Sequence, residues 1–132
     1  MTGMWIEVDV EELSGDDLAA ALEAAAANES WDYRAAVGLV VEQRSWLYRY
    51  EFRQAVDAEV DEDGTLFAWV RWDQIDTHST ASSGELRILE VARGLGGIPS
   101  PRSLRDLLSC FDERNAQRVL RAFEITLRGT AS

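Results

Sequence analysis

The sequence contains no lysine and only one cysteine and one histidine, so all 13 of its basic residues are arginines. The single Cys110 excludes an intramolecular disulfide and a zinc ribbon. The single His78 excludes a metal site of paired histidines, and the lack of lysine excludes a P-loop. Alanine occurs 17 times. This composition is typical of a GC-rich genome, and the alternative is selection for the planar fork of arginine.

Long apolar stretches are also absent. The sequence contains no run of 18 apolar residues that could cross a membrane. Its first residues also lack the basic and apolar regions of a secretory signal. We therefore expect a cytoplasmic protein without a membrane partner. The sequence does not indicate whether it is cellular or is encoded by a virus or mobile element.

No group of residues has the spacing of a catalytic or metal site. Asp76, His78 and Ser79 are too close in sequence to form a hydrolase triad in the usual way. Asp61 and Asp63 have the spacing of two ligands in the calcium-binding loop of an EF-hand, but the final glutamate that such a loop needs is missing. We therefore predict no catalytic, cofactor-binding or metal-binding residue, no cofactor, and a protein that is not an enzyme. An enzyme with an unrecognised site is an alternative.

The net charge of −11 is divided unevenly along the chain. Residues 1–82 carry 18 acids and five arginines, a net −13, whereas residues 100–132 carry six arginines and four acids, a net +2. The length of 132 residues fits one domain. We predict a single domain over residues 1–132, with an acidic β-rich body over 1–82 and a helical subregion over 83–132.

Alternating polar and apolar side chains predict strands in the first half. Residues 5–10 alternate, and a helix capped by Ser14 follows over residues 15–28. Residues 31–43 favour a buried strand, although a helix beginning at Ser30 is the competing interpretation. Residues 46–60 alternate over fifteen positions, which predicts one long strand. A turn at residues 61–64 then returns the chain as a strand over residues 65–75.

Helical periodicity is typical of the second half. Ser82 and Glu85 have the spacing of a capping box at the end of a polar linker over residues 76–84. Ser100 and Pro101 are expected to begin a second helix, and Asp112 a third. We expect the apolar side chains of these last two helices to point inward: Leu104, Leu107, Leu108, Phe111, Ala116, Val119, Leu120, Phe123 and Leu127.

Together these elements predict an α+β fold. It has an N-terminal strand and helix, an antiparallel meander of about three strands, and two to three C-terminal helices packed on the sheet. The strand order is not predicted. We expect the covered sheet face to carry the side chains of Trp46, Tyr48, Tyr50, Phe52 and Trp72. Trp69 then faces the other way, beside Arg71.

The face that carries Trp69 and Arg71 is the first candidate binding surface. If it is open to solvent, it is an aromatic patch of the kind that marks partner sites; if a second layer covers it, it is core. We predict a small acidic protein of unassigned process that acts through protein–protein contacts, as an adaptor or as an inhibitor of a basic partner. Whether it forms a homo-oligomer stays open.

The alternative function is that of a nucleic-acid-binding regulator. Arg114, Arg118 and Arg121 fall on one side of the last helix, and the final two helices resemble a helix-turn-helix in outline. The acids of residues 1–82 would repel phosphates, so only residues 100–132 could make such contacts. The competing interpretation is a solvated helix face that is partly paired with acids of the N-terminal region.

Overall fold

The computed structural model describes residues 5–76, 81–109 and 111–131, with side chains up to residue 128. His78, Ser79 and Cys110, with residues 77–80 of the predicted polar linker, fall outside these ranges. The described residues form a three-stranded antiparallel sheet and six α-helices. The predicted α+β class is therefore confirmed.

The N-terminal strand and helix occur where the sequence predicts them. Strand β1 (Ile6–Val8) leads through a 3-10 turn (Val10–Glu12) into helix α1 (Gly15–Ala26). The Ser14 hydroxyl accepts a hydrogen bond from the Asp17 N–H at 3.0 Å, so the predicted N-cap is confirmed. The apolar stripe of α1 is buried, as expected from its helical spacing.

The strand predicted over residues 31–43 is wrong. This segment is helix α2 (Trp31–Gln43), and Ser30 caps it by accepting from the Tyr33 N–H at 3.2 Å. The physical reason is packing on several sides, because α2 contacts α1 and both long C-terminal helices. A helix buried all round has apolar residues in succession, such as Leu39 and Val40, and therefore resembles a buried strand in sequence.

The long strand predicted over residues 46–60 is mostly wrong. A 3-10 turn (Ser45–Tyr48) and the short helix α3 (Tyr50–Arg53) come first, and only strand β2 (Val56–Val60) is extended. Trp46 and Phe52 are fully buried, whereas Tyr48 and Tyr50 are 62% and 64% exposed. These four side chains therefore do not share a sheet face. The alternation of apolar and polar residues in this segment comes from two successive helical turns, each of which buries one side.

The hairpin that follows is confirmed, with a shorter second strand. Gly64 has the positive φ of 82° that the turn requires, and strand β3 (Leu66–Val70) returns alongside β2. Trp72 lies beyond the strand in a 3-10 turn (Trp72–Gln74), where it is buried. A Cβ at Gly96 would lie 2.5 Å from the Trp72 ring, so this glycine lets the chain at the end of the helix over residues 83–95 lie directly against that ring.

The strand order is β1-β2-β3, and helix α1 packs against β3. One face of the sheet is buried, with Val56, Ala58, Ala68 and Val70 at most 7% exposed. Of the C-terminal helices, α4 (Ser83–Leu95) and α6 (Glu113–Ala131) pack chiefly on α2 rather than on the sheet. The cover of the sheet therefore comes mainly from α1, while α2 packs on α1 and contacts both α4 and α6.

The C-terminal helices begin and pack differently from the prediction. Helix α5 (Leu104–Leu108) is capped by Ser103, not begun by Ser100 and Pro101. Asp112 does cap α6, because its Oδ1 accepts from the Asn115 N–H at 2.7 Å. The inward orientation is confirmed for Leu107 and Val119.

Four leucines that were expected inside are exposed: Leu104, Leu108, Leu120 and Leu127. Helix α6 turns Val119 and Ala122 into the core where it meets α2, and this rotation leaves Leu120 and Leu127 outside. Helix α5 has a single turn, so it can bury little more than Leu107.

A buried guanidinium joins three segments of the N-terminal half. Arg53 is 8% exposed. Its Nε donates to the Leu47 carbonyl at 2.7 Å, and its Nη1 donates to the carbonyls of Val10 and Leu13 at 2.8 and 2.9 Å. A buried charge is tolerated only when its donors are satisfied. These bonds therefore fix the turn after β1 and the turn before α3 against each other.

Arg53→Met is expected to lower the free energy of unfolding by about 3 kcal/mol, because methionine fills the space but removes a charged donor from three carbonyls, of which Val10 keeps the Leu13 N–H. Urea denaturation measures the change. Arg105→Met, at an exposed position on α5, is the matched control and should change stability by less than about 0.5 kcal/mol. Equal stability of the two variants would contradict the role given to Arg53.

The start of α4 is a second connection between distant segments. Ser82 and Glu85 form both halves of the predicted capping box, at 3.0 and 3.2 Å. The Trp46 indole N–H donates to the Glu85 carbonyl at 2.9 Å, and the Arg49 guanidinium lies 3.3 Å from the Glu85 carboxylate. The pKa of Glu85 is lowered to about 2, chiefly by the side chain of Ser45, then by Ser82 and the charge of Arg49, while burial opposes the shift.

We expect this lowered pKa to make stability depend on pH. A carboxyl group with a pKa of about 2 in the folded protein and 4.5 ordinarily stabilises the fold above about pH 4.5. That contribution falls as the pH decreases from about 5 toward 2. The stability difference between the natural protein and Glu85→Gln should therefore shrink over this range in urea denaturation. The same series with Glu23→Gln, at an exposed position on α1, corrects for general charge effects, and a difference that stays constant for Glu85→Gln would refute the prediction.

Candidate partner-binding site on the outer sheet face

The side chains that alternate with the buried ones form the second face of the sheet, which we call the outer face. The pairing of β2 with β3 places Glu59 opposite Phe67 and Asp57 opposite Trp69. The pairing of β1 with β2 places Glu7 opposite Glu59. Residues directly opposite each other in an antiparallel sheet point to the same side. The outer face therefore combines aromatic rings on β3 with carboxylates on β1 and β2.

Three aromatic rings meet on this face and form what we call the aromatic cluster: Trp5, Phe67 and Trp69. The centroid of the Trp5 ring lies 5.6 Å from that of Phe67 and 6.0 Å from that of Trp69. Phe67 and Trp69 are stacked at 6.1 Å. These separations are typical of favourable ring contacts. Trp5 is 48% exposed and the other two rings are half-buried, so the cluster is a continuous patch open to solvent.

A groove of about 660 Å³ runs beside the aromatic cluster. Its lining consists of Trp5, Glu7, Asp57, Ala58, Glu59 and Trp69. A neighbouring groove of about 480 Å³ shares Glu7, Asp57 and Ala58; it continues to Asp9 and Glu11 and also reaches the buried Arg53. The surface next to the rings is therefore lined by carboxylates, which suits a positively charged ligand group.

Arg71 lies at the rim of this surface, as the sequence suggested from its place beside Trp69. Its Nε is 3.1 Å from the Asp57 carboxylate. Its two other nitrogens donate to the Gln74 side chain at 2.5 Å and to the Gln54 carbonyl at 2.9 Å. All three guanidinium nitrogens of Arg71 therefore contact groups of the same chain. The ion pair with Asp57 holds that carboxylate beside the groove.

The three predicted arginines of α6 lie on a different part of the molecule. Arg121 forms an ion pair with Glu42 of α2, and Arg118 donates to the Asn115 side chain at 2.7 Å. Arg114 is exposed at the start of the helix. Helix α6 packs on α2, so these arginines are not brought to the outer face with Trp69 and Arg71. The pairing of Arg121 with Glu42 agrees with the interpretation of a helix face partly paired with N-terminal acids.

Sequence reasoning proposed Trp69 and Arg71 for a binding surface, and it did not propose four other residues of the candidate site: Trp5, Glu7, Asp57 and Glu59. The alternation of residues 5–10 already places Trp5 and Glu7 on one side of a strand. The sequence pattern does not show which strand this one pairs with. The pairing of Ile6 with Val60 joins residues more than fifty positions apart. Only the three-dimensional register brings these acids to the aromatic rings.

Comparisons with other proteins add no family to this description, since the chain matches no family model, no curated protein and no solved structure. None of the helices in the described ranges combines the length and apolar character that crossing a membrane requires. Within the same ranges, no group of three or more histidine, cysteine, aspartate or glutamate side chains could hold a metal ion. The outer face therefore has to be interpreted from its own geometry.

Glu59→Gln is expected to stabilise the protein by a few tenths to about 1 kcal/mol, because like charges directly opposite each other in a sheet destabilise it. The opposing group is the Glu7 carboxylate. Thermal and urea denaturation at low ionic strength measure the gain. Glu23→Gln removes one negative charge at an exposed position on α1 and is the matched control. An equal gain in the control would attribute the effect to net charge alone.

Proposed function

We propose that this chain is a small, non-enzymatic, cytoplasmic protein that acts by binding a basic segment of another protein on the outer face. The observation that carries the proposal is the half-exposed aromatic cluster set among carboxylates that line the adjoining groove. Aromatic patches that stay open to solvent are typical of partner sites. Tryptophan is among the residues that contribute most to binding energy.

The charge distribution supports a basic partner. Residues 1–82, which contain the whole sheet, carry a net charge of −13. A surface of this sign attracts cationic partners over a distance of about 10 Å at moderate salt and raises the rate of association. Repulsion excludes acidic partners in the same way. An adaptor for a basic protein, or an inhibitor that occupies the basic groove of a nucleic-acid-binding protein, is a concrete form of this function.

The aromatic cluster supports recognition of arginine or lysine in particular. A cation placed over the face of a tryptophan ring within about 6 Å gains about 0.5–2 kcal/mol, with the larger value where water is excluded. Glu7 and Glu59 stand close enough to the rings to line the same groove as Trp5 and Trp69. One basic side chain could therefore contact a ring and a carboxylate together.

Nucleic-acid binding through residues 100–132 is the weaker proposal. Arg118 and Arg121 already donate to side chains of the same chain, and breaking these contacts would offset part of any gain from phosphates. Helix α5 has only five residues, which is short for the first helix of a helix-turn-helix. Arg114 remains available at the exposed end of α6.

The proposal is tested by titrating the natural protein into a fluorescein-labelled arginine-rich peptide and following fluorescence anisotropy. Trp69→Ala should weaken binding at least tenfold, a loss of about 1.4 kcal/mol or more. Glu59→Gln should weaken it more than the matched control Glu23→Gln, because only Glu59 lines the groove. Raising the salt concentration should weaken all of these complexes.

Two other ligands complete the experiment. A labelled glutamate-rich peptide of the same length should not bind. A labelled DNA duplex should not bind either, and retention of DNA that is lost in Arg118→Ala and Arg121→Ala would favour the nucleic-acid alternative. Failure to bind the arginine-rich peptide would overturn the proposed function, and so would an affinity that Trp69→Ala leaves unchanged.

A further inference from the structure

Strand β1 is an edge of the sheet, because the strand order is β1-β2-β3. In the described part of the chain, no further strand pairs with its outer side. An exposed edge presents unpaired N–H and C=O groups that can bind another extended segment. The edge also borders the outer face, since Trp5 and Glu7 lie along it.

The hydrogen bonds of the hairpin show which residues of β1 face outward. The Arg71 N–H donates to the Ala55 carbonyl at 2.7 Å, and the Asp61 N–H donates to the Thr65 carbonyl at 3.0 Å. Odd-numbered residues of β2 therefore direct their backbone groups toward β3. Backbone groups alternate in direction along a strand, so the even-numbered residues of β2 face β1.

The register carries this alternation into β1. Ile6 lies opposite Val60 and Val8 lies opposite Ala58, so Ile6 and Val8 use their backbone groups to bond β2. The N–H and C=O of Glu7, and those of Trp5 if the same alternation continues, point away from the sheet. Beyond Glu7 the edge closes, because the Asp9 carbonyl accepts from the Glu12 N–H at 3.1 Å.

The side chains along this edge define the sequence of a segment that could pair with it. A residue opposite Glu7 would share the outer face with a carboxylate, and a residue opposite Trp5 would share it with an exposed ring. Both positions favour arginine or lysine. The residue between them would face the other side, next to Ile6, which is 61% exposed, and that position favours an apolar side chain.

A second copy of this chain fits the edge poorly. Two β1 strands paired antiparallel about Glu7 would place the two Glu7 carboxylates directly opposite each other, which is destabilising. Two acidic bodies of −13 would also meet. A basic segment has the opposite charge and relieves the repulsion between Glu7 and Glu59 instead of adding to it.

We propose that the outer edge of β1 binds an extended peptide segment as a fourth, antiparallel strand, with basic side chains alternating with apolar ones. This inference rests on the proposed function and specifies the form of the partner. The backbone of Trp5 and Glu7 supplies hydrogen bonds, as in other cases of strand addition. The aromatic cluster and the carboxylates of the outer face select the basic side chains.

The test uses a labelled, end-blocked peptide in which arginine and valine alternate, with the unmodified chain of residues 1–132. In the proposed complex the arginine amides point toward β1 and the valine amides point away. N-methylation of the arginine amides should weaken binding roughly tenfold, because it removes backbone donors. The same peptide methylated at the valine amides is the matched control and should bind within about twofold of the parent.

Two variants of the protein examine the same edge from the other side. Glu7→Pro removes an outward N–H that the free sheet does not use, so the fold should tolerate it. It should weaken the alternating peptide several-fold more than Glu7→Gln, which removes only the charge. Hydrogen exchange measured by nuclear magnetic resonance should show the Glu7 amide becoming protected when the peptide is added to the natural protein.

The outcomes separate this inference from the proposed function. Equal binding of the two methylated peptides, with Trp69→Ala still weakening both, would overturn strand addition and leave the outer face as a binding site. No binding of any arginine-containing peptide would overturn both. Dimers of the free protein in sedimentation equilibrium that Glu7→Pro abolishes would assign the edge to a second copy instead.

Discussion

The rest of the structure depends on how the guanidinium of Arg53 is satisfied in the interior. Its three carbonyl partners belong to the turn after β1, the approach to α1 and the turn before α3. A buried guanidinium without these acceptors would cost several kcal/mol. The same bonds therefore hold β1 beside β2 and, through β1, set Trp5 and Glu7 on the outer face. The aromatic cluster therefore depends on contacts that its three rings do not themselves make.

The difference between the two sheet faces follows from side-chain size. The covered face presents Ala58 and Ala68 at its centre, and α1 carries an alanine-rich buried stripe. Small residues on both sides allow close approach of the helix to the sheet. The large rings of β3 alternate to the other side, where no helix in the described ranges covers them. Contact among the three rings buries part of each, so mutual packing replaces part of the missing layer.

The sequence predicted elements whose signals are local. Ser14 caps α1, Gly64 forms the hairpin turn, and Ser82 with Glu85 begins α4. In each case the residues that determine the structure lie within four positions of one another. The errors over residues 31–43 and 46–55 lie where distant contacts decide. Trp46 bonds to a residue 39 positions away, and Arg53 to one 43 positions away. The candidate site divides in the same way, since Trp69 was predicted from its own strand, while the acids beside it required the register of the paired strands.

The carboxylates of the outer face also act on the exposed aromatic cluster and the open strand edge beside them. Edges and apolar patches favour pairing with any extended chain, including another copy. Glu7 and Glu59 oppose each other within the free protein, and this repulsion lowers stability. The same charges disfavour a second acidic copy and favour a cationic segment, which neutralises them. In the proposed complex, the stability that the free protein loses to this repulsion would become selectivity, because only a partner of opposite charge relieves the unfavourable pair.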